Sequence, residues 1–472
     1  MAGEEPAKQY VVFCPARLLG RPVEKLMVIS EIDRPLWALL NATQEGLKRD
    51  DYTIESLPEV DFQPAEINDA TPPFTPQVVF SVSSPSVKSA ETFRRAVRKS
   101  IGDANSPLKA IGINPALMAG EYSVPAAPDS TVFGTIDDAR HLINADRLPP
   151  QLDGNSVNVV LIDAGIDRSM FPPGVYGGGW HPRATDPSLP TPPLPGQTTG
   201  ANALHGMMIV NNILAIAPQA RIFDVPLIPL PKVYNIFNFL HVAEAVYHRI
   251  LRDVVWFRAN GPFRGPWVFM NAWAIFDRRS EGIRLGEYTE NLGIGGVPHP
   301  FIQRIEQVGR ERFDIVFCAG NCGEVCPDGR CGPNDYGPGR SIWGANAHMD
   351  VLTTGAVRID ETWSGYSSEG PGPTPNLDAQ KPDLCAPSQF VGRAGRYPPN
   401  SGTSTSAAIA AGVVCALRSR PRWNQTTVPP YILKLILNNT ARQTQGLGWN
   451  RWLGHGILDV FAAYQRLLAN FP

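Results

Sequence analysis

The chain has 472 residues, of which 43% are hydrophobic, and a formal net charge of −2. That is enough apolar material for a sizeable core, and the near-neutral balance excludes the basic patch expected of a nucleic-acid binder. The 46 prolines and 43 glycines indicate many loops but not disorder, because apolar runs continue between them.

Met1 to Lys8 is acidic and polar, without the charged-then-apolar pattern of a secretory signal. No uninterrupted apolar run is long enough to span a membrane. Seven cysteines cannot all pair within one chain. These features together predict a cytoplasmic protein with no membrane or nucleic-acid partner.

Residues 10–125 form a separate module in this reading. Tyr10-Val11-Val12-Phe13 is strand-like, and RPLWALLNATQEGL (34–47) has helical spacing of Leu36, Leu39, Leu40 and Leu47. Gln77 to Val82 is a second strand, 90–101 an amphipathic helix with a basic, solvated face, and Leu108 to Ile113 a closing strand. The order strand–helix–strand–helix–strand predicts a small α+β domain. A turn to Pro, Asp and Ser around 126–130 marks a linker, dividing the chain into residues 1–130 and 131–472.

After a helix over 137–150 comes Val157-Asn158-Val159-Val160-Leu161-Ile162-Asp163, an almost continuous β-branched run that fits a strand buried on both faces. Asp163 stands at its C-terminal end, where sites in open α/β sheets lie; an aspartate there is otherwise a turn or cap residue. The Pro/Gly-rich stretch 171–200 is expected to be a long loop. His205 opens an apolar helix, as a general base or as a structural histidine. Further strands follow at 221–225, 267–271 and 313–321, with a helix over 236–257 between them. This alternation predicts a doubly wound, mostly parallel sheet.

The stretch on which the rest converges is Asn400-Ser401-Gly402-Thr403-Ser404, running into small apolar residues from Ala407 to Leu417 that fit a buried helix. A hydroxyl there faces unsatisfied backbone N–H groups and the positive end of the helix dipole. Ser404 is accordingly either a helix cap or a nucleophile with an oxyanion site beside it.

Asp163, His205 and Ser404 occur in that order, and the blocks around them resemble the subtilases, subtilisin-like serine proteases, over about residues 131–472. Val-Val-Leu-Ile-Asp163-Ala-Gly is similar to the family's aspartate strand, and His205-Gly206-Met207 to its His-Gly-Thr. Cys318-Ala319-Gly320-Asn321-Cys322-Gly323 is similar to Ala-Ala-Gly-Asn-x-Gly, and Gly402-Thr403-Ser404-Thr405-Ser406-Ala407 to Gly-Thr-Ser-Met-Ala. Supporting blocks are Ser367 to Pro371 with Lys381 to Pro387, and Asn439 to Ala441 with Gly454 to Asp459. The resemblance implies a subtilisin-like fold with helices on both faces of the sheet. It implies a peptide or protein substrate, a triad of Asp163, His205 and Ser404, and Asn321 as the side-chain oxyanion donor. It also implies that Asn271, Ala272, Trp273 and Ala274 line the substrate groove, with Ala274 at a position usually held by glycine and so favouring small side chains.

Departures are Ala164, Met207, Thr405-Ser406 and Ala408. None removes a triad group, but they keep open a non-catalytic binding protein on the same fold. A lipase of α/β-hydrolase type is disfavoured by the triad order and by the lack of a Gly-x-Ser-x-Gly elbow. No cofactor is implied. Cys322, Cys326 and Cys331 are close enough to bind zinc with a fourth ligand such as His348, to form one disulfide, or to remain free thiols. Glu324, Asp328 and Asp335 are solvated loop charges, not a calcium loop. Many subtilases carry an N-terminal propeptide, so residues 10–125 are either an intramolecular inhibitor, cut off between about Ala119 and Gly134, or a permanent recognition domain.

Overall fold

The computed structural model describes residues 7–14, 17, 29–43, 47–56, 58–66, 78–113, 118–119, 132–184, 191–228, 240–282, 284–294, 296–392, 400–444, 446 and 448–472. The expected linker at 126–130 lies outside the described residues. In chain order the first elements are β1 (Ala7–Phe13), α1 (Ile29–Thr43), β2 (Thr53–Ser56), β3 (Pro58–Pro64), β4 (Val78–Ser84), α2 (Val87–Ile101), β5 (Leu108–Ile113) and β6 (Met118–Ala119). There follow α3 (Ile136–Leu142), β7 (Asn158–Asp163), β8 (Tyr176–Ala184), α4 (Leu204–Ile216), β9 (Arg221–Pro226), α5 (Leu240–Asn260), β10 (Trp267–Asn271) and β11 (Trp273–Ala274). The chain closes with α6 (Pro300–Arg310), β12 (Asp314–Cys318), β13 (Leu352–Val357), β14 (Leu384–Pro387), α7 (Gly402–Arg418), α8 (Pro430–Thr440) and α9 (Val460–Asn470).

The main sheet has eight strands in the order β14-β13-β12-β10-β7-β9-β8-β3. All neighbours are parallel except β3, which runs antiparallel to β8. Strand alternation splits the apolar side chains between two cores. Val159 and Leu161 of β7 face α4 and α7 on one side, while Val160 and Ile162 face α5 and α6 on the other. β7 is buried along its whole length, as its β-branched run requires. The helix α7 is buried all round, which its small apolar residues permit and which places it in the middle of the first core.

The N-terminal strands form a second sheet in the order β2-β4-β1-β5. Val11 and Phe13 pack on α1 and α2, whereas Tyr10 and Val12, on the opposite face, share a core with α5 and α6.

Three local expectations are corrected. The first helix begins at Ile29, not Arg34, and carries Pro35 in its interior. The fully buried series Ile32, Leu36, Leu40 extends the apolar stripe N-terminally past the proline. The stretch 171–200, expected as loop, contains β8. Its Tyr-Gly-Gly-Gly run shows no alternation, and pairing alone makes it a strand. A Cβ at Gly179 would fall 2.1 Å from the Asp224 carbonyl oxygen of β9, so only glycine admits the approach. The basic face of α2 is not wholly solvated, for Arg94 is buried against Glu287 at 2.6 Å.

Candidate active site

Asp163 ends β7 between β9 and β10, its carboxyl fully buried. Oδ1 accepts the Ala164 N–H at 2.7 Å, and the two oxygens lie 2.8 and 2.9 Å from His205 Nδ1. His205 is the second residue of α4 and is buried. With Nδ1 committed to the carboxylate, the ring turns Nε2 away from Asp163.

Ser404 is the third residue of α7, and the N-cap is Ser401. A turn with φ +76° at Gly402 brings the chain into the helix, a conformation glycine tolerates and other residues resist. The Ser404 N–H belongs to the first turn, whose N–H groups have no intrahelical acceptor. Its hydroxyl donates to the Ala272 carbonyl at 3.5 Å. The segments bearing Ser404 and His205 are joined by two polar contacts. Thr405 Oγ1 lies 3.4 Å from Met208 Sδ, and Asn400 Nδ2 donates to Asn212 Oδ1 at 3.0 Å.

Asn321 follows β12. Its Oδ1 accepts both the backbone N–H and the hydroxyl of Thr403, each at 3.0 Å. A backbone N–H only donates, so the atom it meets is the amide oxygen, and the NH2 end points the other way. Among the described residues that NH2 donates to no protein group. Thr403 also accepts the Gly320 N–H at 3.0 Å, fixing the turn before Asn321. Sequence reasoning gave Thr403 no role beyond its place in the Gly-Thr-Ser block.

Asn271, Ala272, Trp273 and Ala274 are all buried. Asn271 Oδ1 accepts from Tyr247 Oη and from Trp273 Nε1, so both side chains are held in the protein interior. The backbone of Trp273 and Ala274 pairs antiparallel with β6, placing Trp273 opposite Ala119 and Ala274 opposite Met118. Asn346 props this strand from behind, donating to the Trp273 and Cys318 carbonyls at 2.9 and 2.8 Å.

Cys322 and Cys331 are joined by a disulfide, and Cys326 is a free thiol. With two of the three sulfurs paired, they cannot serve together as thiolate ligands. His348 lies apart from them, packed near Glu306 and Asp350. The disulfide packs on Ala274 and Phe276, so it braces the strand beside β6 and the residue after Asn321 at once. Asp328 and Asp335 are not solvated as expected. Both are buried, Asp328 paired with Arg330 at 2.8 Å and Asp335 with Arg278 at 2.7 Å.

Asp224, in the middle of β9, went unnoticed in the sequence, although an acid inside the apolar run Arg-Ile-Phe-Asp-Val-Pro is the same signal that marked Asp163. Its Oδ2 accepts the N–H groups of Gly196 and Ile166 at 2.7 and 3.3 Å, tying the loop after Asp163 to the stretch after β8. Its Oδ1 is buried with no partner among the described residues. Burial first, and then the Asp163 charge, raise its pKa to about 7 against the lowering effect of the two N–H bonds.

Residues 279–456, less than half of the chain, match the model of the subtilase family, peptidase group S8. That segment holds Asn321 and Ser404, while Asp163 and His205 precede it. The match and the observed sheet bear out the expected subtilisin-like doubly wound architecture. Among solved structures, the chain is similar to fervidolysin from Fervidobacterium pennivorans, described as a keratinolytic enzyme related to subtilisin. Identity is 15%, the TM-score 0.49, and the alignment covers 98% of this chain and 61% of fervidolysin. It is also similar to MycP1 from Mycobacterium smegmatis, at 19% identity and a TM-score of 0.43, over 74% of this chain and 89% of MycP1. The chain thus spans less than two thirds of fervidolysin's length. No curated protein matches the sequence.

Proposed function

We propose that this chain, whose residues 279–456 carry the subtilase pattern, is a serine endopeptidase with Asp163, His205 and Ser404 as its triad. Ser404 Oγ gives its proton to His205 Nε2 as it attacks the carbonyl carbon of the substrate peptide. Asp163 holds the imidazole tautomer and stabilises the imidazolium. The oxyanion accepts hydrogen bonds from Asn321 Nδ2 and the Ser404 N–H, where the α7 dipole adds to the effect. His205 then protonates the leaving amine, and water attacks the resulting ester by the reverse of the same path. In the present structure the Ser404 hydroxyl is directed at Ala272, and it must leave that carbonyl to engage His205.

The observation that carries the reading is the pinned amide of Asn321. An oxygen held by two donors from the residue before Ser404 leaves an NH2 with no protein partner among the described residues. That end is left for water or for a substrate oxygen, as an oxyanion donor requires. The backbone pairing of β11 with β6 supports a second element. Substrate lies along Trp273–Ala274 as an added strand, and Met118–Ala119 holds that place in the uncut chain, as an intramolecular inhibitor. Ala274 narrows the pocket for the residue before the cleaved bond and favours small side chains.

The test is fluorophosphonate labelling with intact mass read in the same run, on the full chain and on chain nicked between Ala119 and Gly134. Nicked wild type is expected to take up one label, full-length wild type to label more slowly, and Ser404→Ala not at all. A folded, nicked wild-type chain that takes no label refutes the assignment, as does a Ser404→Ala chain that labels equally.

A further inference from the structure

β3 lies in the N-terminal part of the sequence but belongs to the main sheet. It pairs with β8 over its full length, from Pro58 opposite Ala184 to Pro64 opposite Gly178. Phe62 on this strand is 4% exposed. Its ring lies 5.2 Å from Trp180, 5.0 Å from Phe257 and 6.4 Å from Phe223, inside the core that backs β7 and β10. At the strand's outer end Arg183 of β8 pairs with Glu59 and Asp61.

A second set of contacts lies about α6 and the loop before it. Arg94 of α2 and Glu287 form an ion pair at 2.6 Å, each side chain 1% exposed. Glu287 also accepts the Ile113 N–H at 3.1 Å. The Ile113 carbonyl lies 3.2 Å from His299 Nε2, and the His299 ring is flanked by Tyr10 and Tyr288. Glu91 and Arg284 close the rim at 2.9 Å.

Take the N-terminal residues away and three costs follow together. β8 becomes an open edge with unpaired N–H and C=O groups. The ring cluster on Phe223 and Trp180 is uncovered. Glu287 loses the Arg94 guanidinium and the Ile113 N–H at once. An inhibitor meant to leave would be expected to dock on a surface already complete without it. This one supplies a strand and part of a core.

From this we infer that residues 7–113 are a permanent part of the enzyme, which stays bound after cleavage of the linker, while only the β6 segment leaves the groove. The working molecule is then a two-chain enzyme held by β3 and by the Arg94–Glu287 contact. The inference rests on the proposed peptidase reading for its meaning, but its test does not.

A recognition site for an unrelated protease is inserted within 120–131 of the Ser404→Ala chain, so no activity of the protein itself enters. The chain is nicked and passed over a sizing column in native buffer, and parallel samples are run in denaturant. One species of the intact mass in native buffer, resolving into two polypeptides only in denaturant, is the expected result. Separation in native buffer, with the larger piece remaining folded and monomeric, overturns the inference. Phe62→Ala in the nicked chain is expected to speed release by roughly tenfold or more, the scale of a core Phe→Ala loss. An unchanged release rate would show that β3 is not the anchor. Failure of the fluorophosphonate test would leave these outcomes readable, since they report the interface and not the triad.

Discussion

Asp224→Asn changes the charge of a buried carboxyl and leaves its shape. The side chain is fully buried, and the charge acting on it most is the Asp163 carboxylate. Tyr176 of β8 lies near it, and the Arg168 guanidinium stands 5.6 Å from the centre of that ring. Burial raises the carboxyl to a pKa of about 7. In the unfolded chain it ionises near pH 4, so between about 4 and 7 the folded protein holds a proton that the unfolded chain has released. The group's contribution to stability is therefore complete below about pH 4 and is lost as the pH rises through about 7. Each pH unit is worth about 1.4 kcal/mol, and about two units of the window fall between pH 5 and 9, which sets the loss there at on the order of 3 kcal/mol. Asparagine keeps an oxygen for the Gly196 and Ile166 N–H groups and cannot ionise. The variant is expected to unfold near wild type at pH 5, to gain on it as the pH rises to about 7, and to hold that gain from there to pH 9. Urea midpoints of Ser404→Ala, with and without Asp224→Asn, measured across that range give the answer without autolysis. A difference that stays flat with pH would refute the reasoning, because it would mean that the carboxyl ionises as an exposed one does.

Asn321→Ala removes the proposed oxyanion donor. On a peptide substrate kcat is expected to fall by about 10²–10³ with KM nearly unchanged, and steady-state kinetics within threefold of wild type would deny Asn321 that role. The same change strips Thr403 of its acceptor, so a midpoint loss of about 1–3 kcal/mol should accompany it in unfolding experiments. Ala274→Gly should move a peptide-library profile toward larger residues before the cleaved bond, and an unaltered profile would place the pocket elsewhere. Cys331→Ser opens the Cys322–Cys331 loop and is expected to cost about 2–3 kcal/mol of stability on chain-entropy grounds, read as a lower melting temperature.

The sequence carried the main sheet because its strands are buried on both faces and so read as unbroken apolar runs. β7, β9, β10 and β12 were legible on that ground, and so was α7, whose small residues are required by its position between the sheet and α4. What stayed hidden is whatever is decided by a partner distant in sequence. β8 has no pattern of its own and becomes a strand through β9 and β3. Arg94 looks like one more surface cation on α2 until Glu287, far along the chain, is placed against it. The pairing of Cys322 with Cys331, and not with Cys326, is likewise set by how the loop folds back on Ala274 and Phe276.

The site divides in the same way. The side chains proposed to react were legible because the reaction demands particular functional groups in a particular order, and Asp163 and His205 duly meet at 2.8 Å. The groups that orient them were not, since any residue able to give or take one hydrogen bond will serve. Thr403 and Asp224 are of this kind. Each fixes the backbone beside a reacting residue by accepting N–H groups, Thr403 from Gly320 and Asp224 from Gly196 and Ile166. Their roles depend on loops brought together only in the folded chain. The stretch that Asp224 ties down at Gly196 follows β8, the strand with which β3 pairs. On the inference drawn above, that pairing makes the N-terminal residues part of the scaffold under the proposed triad, not a plug inserted into it.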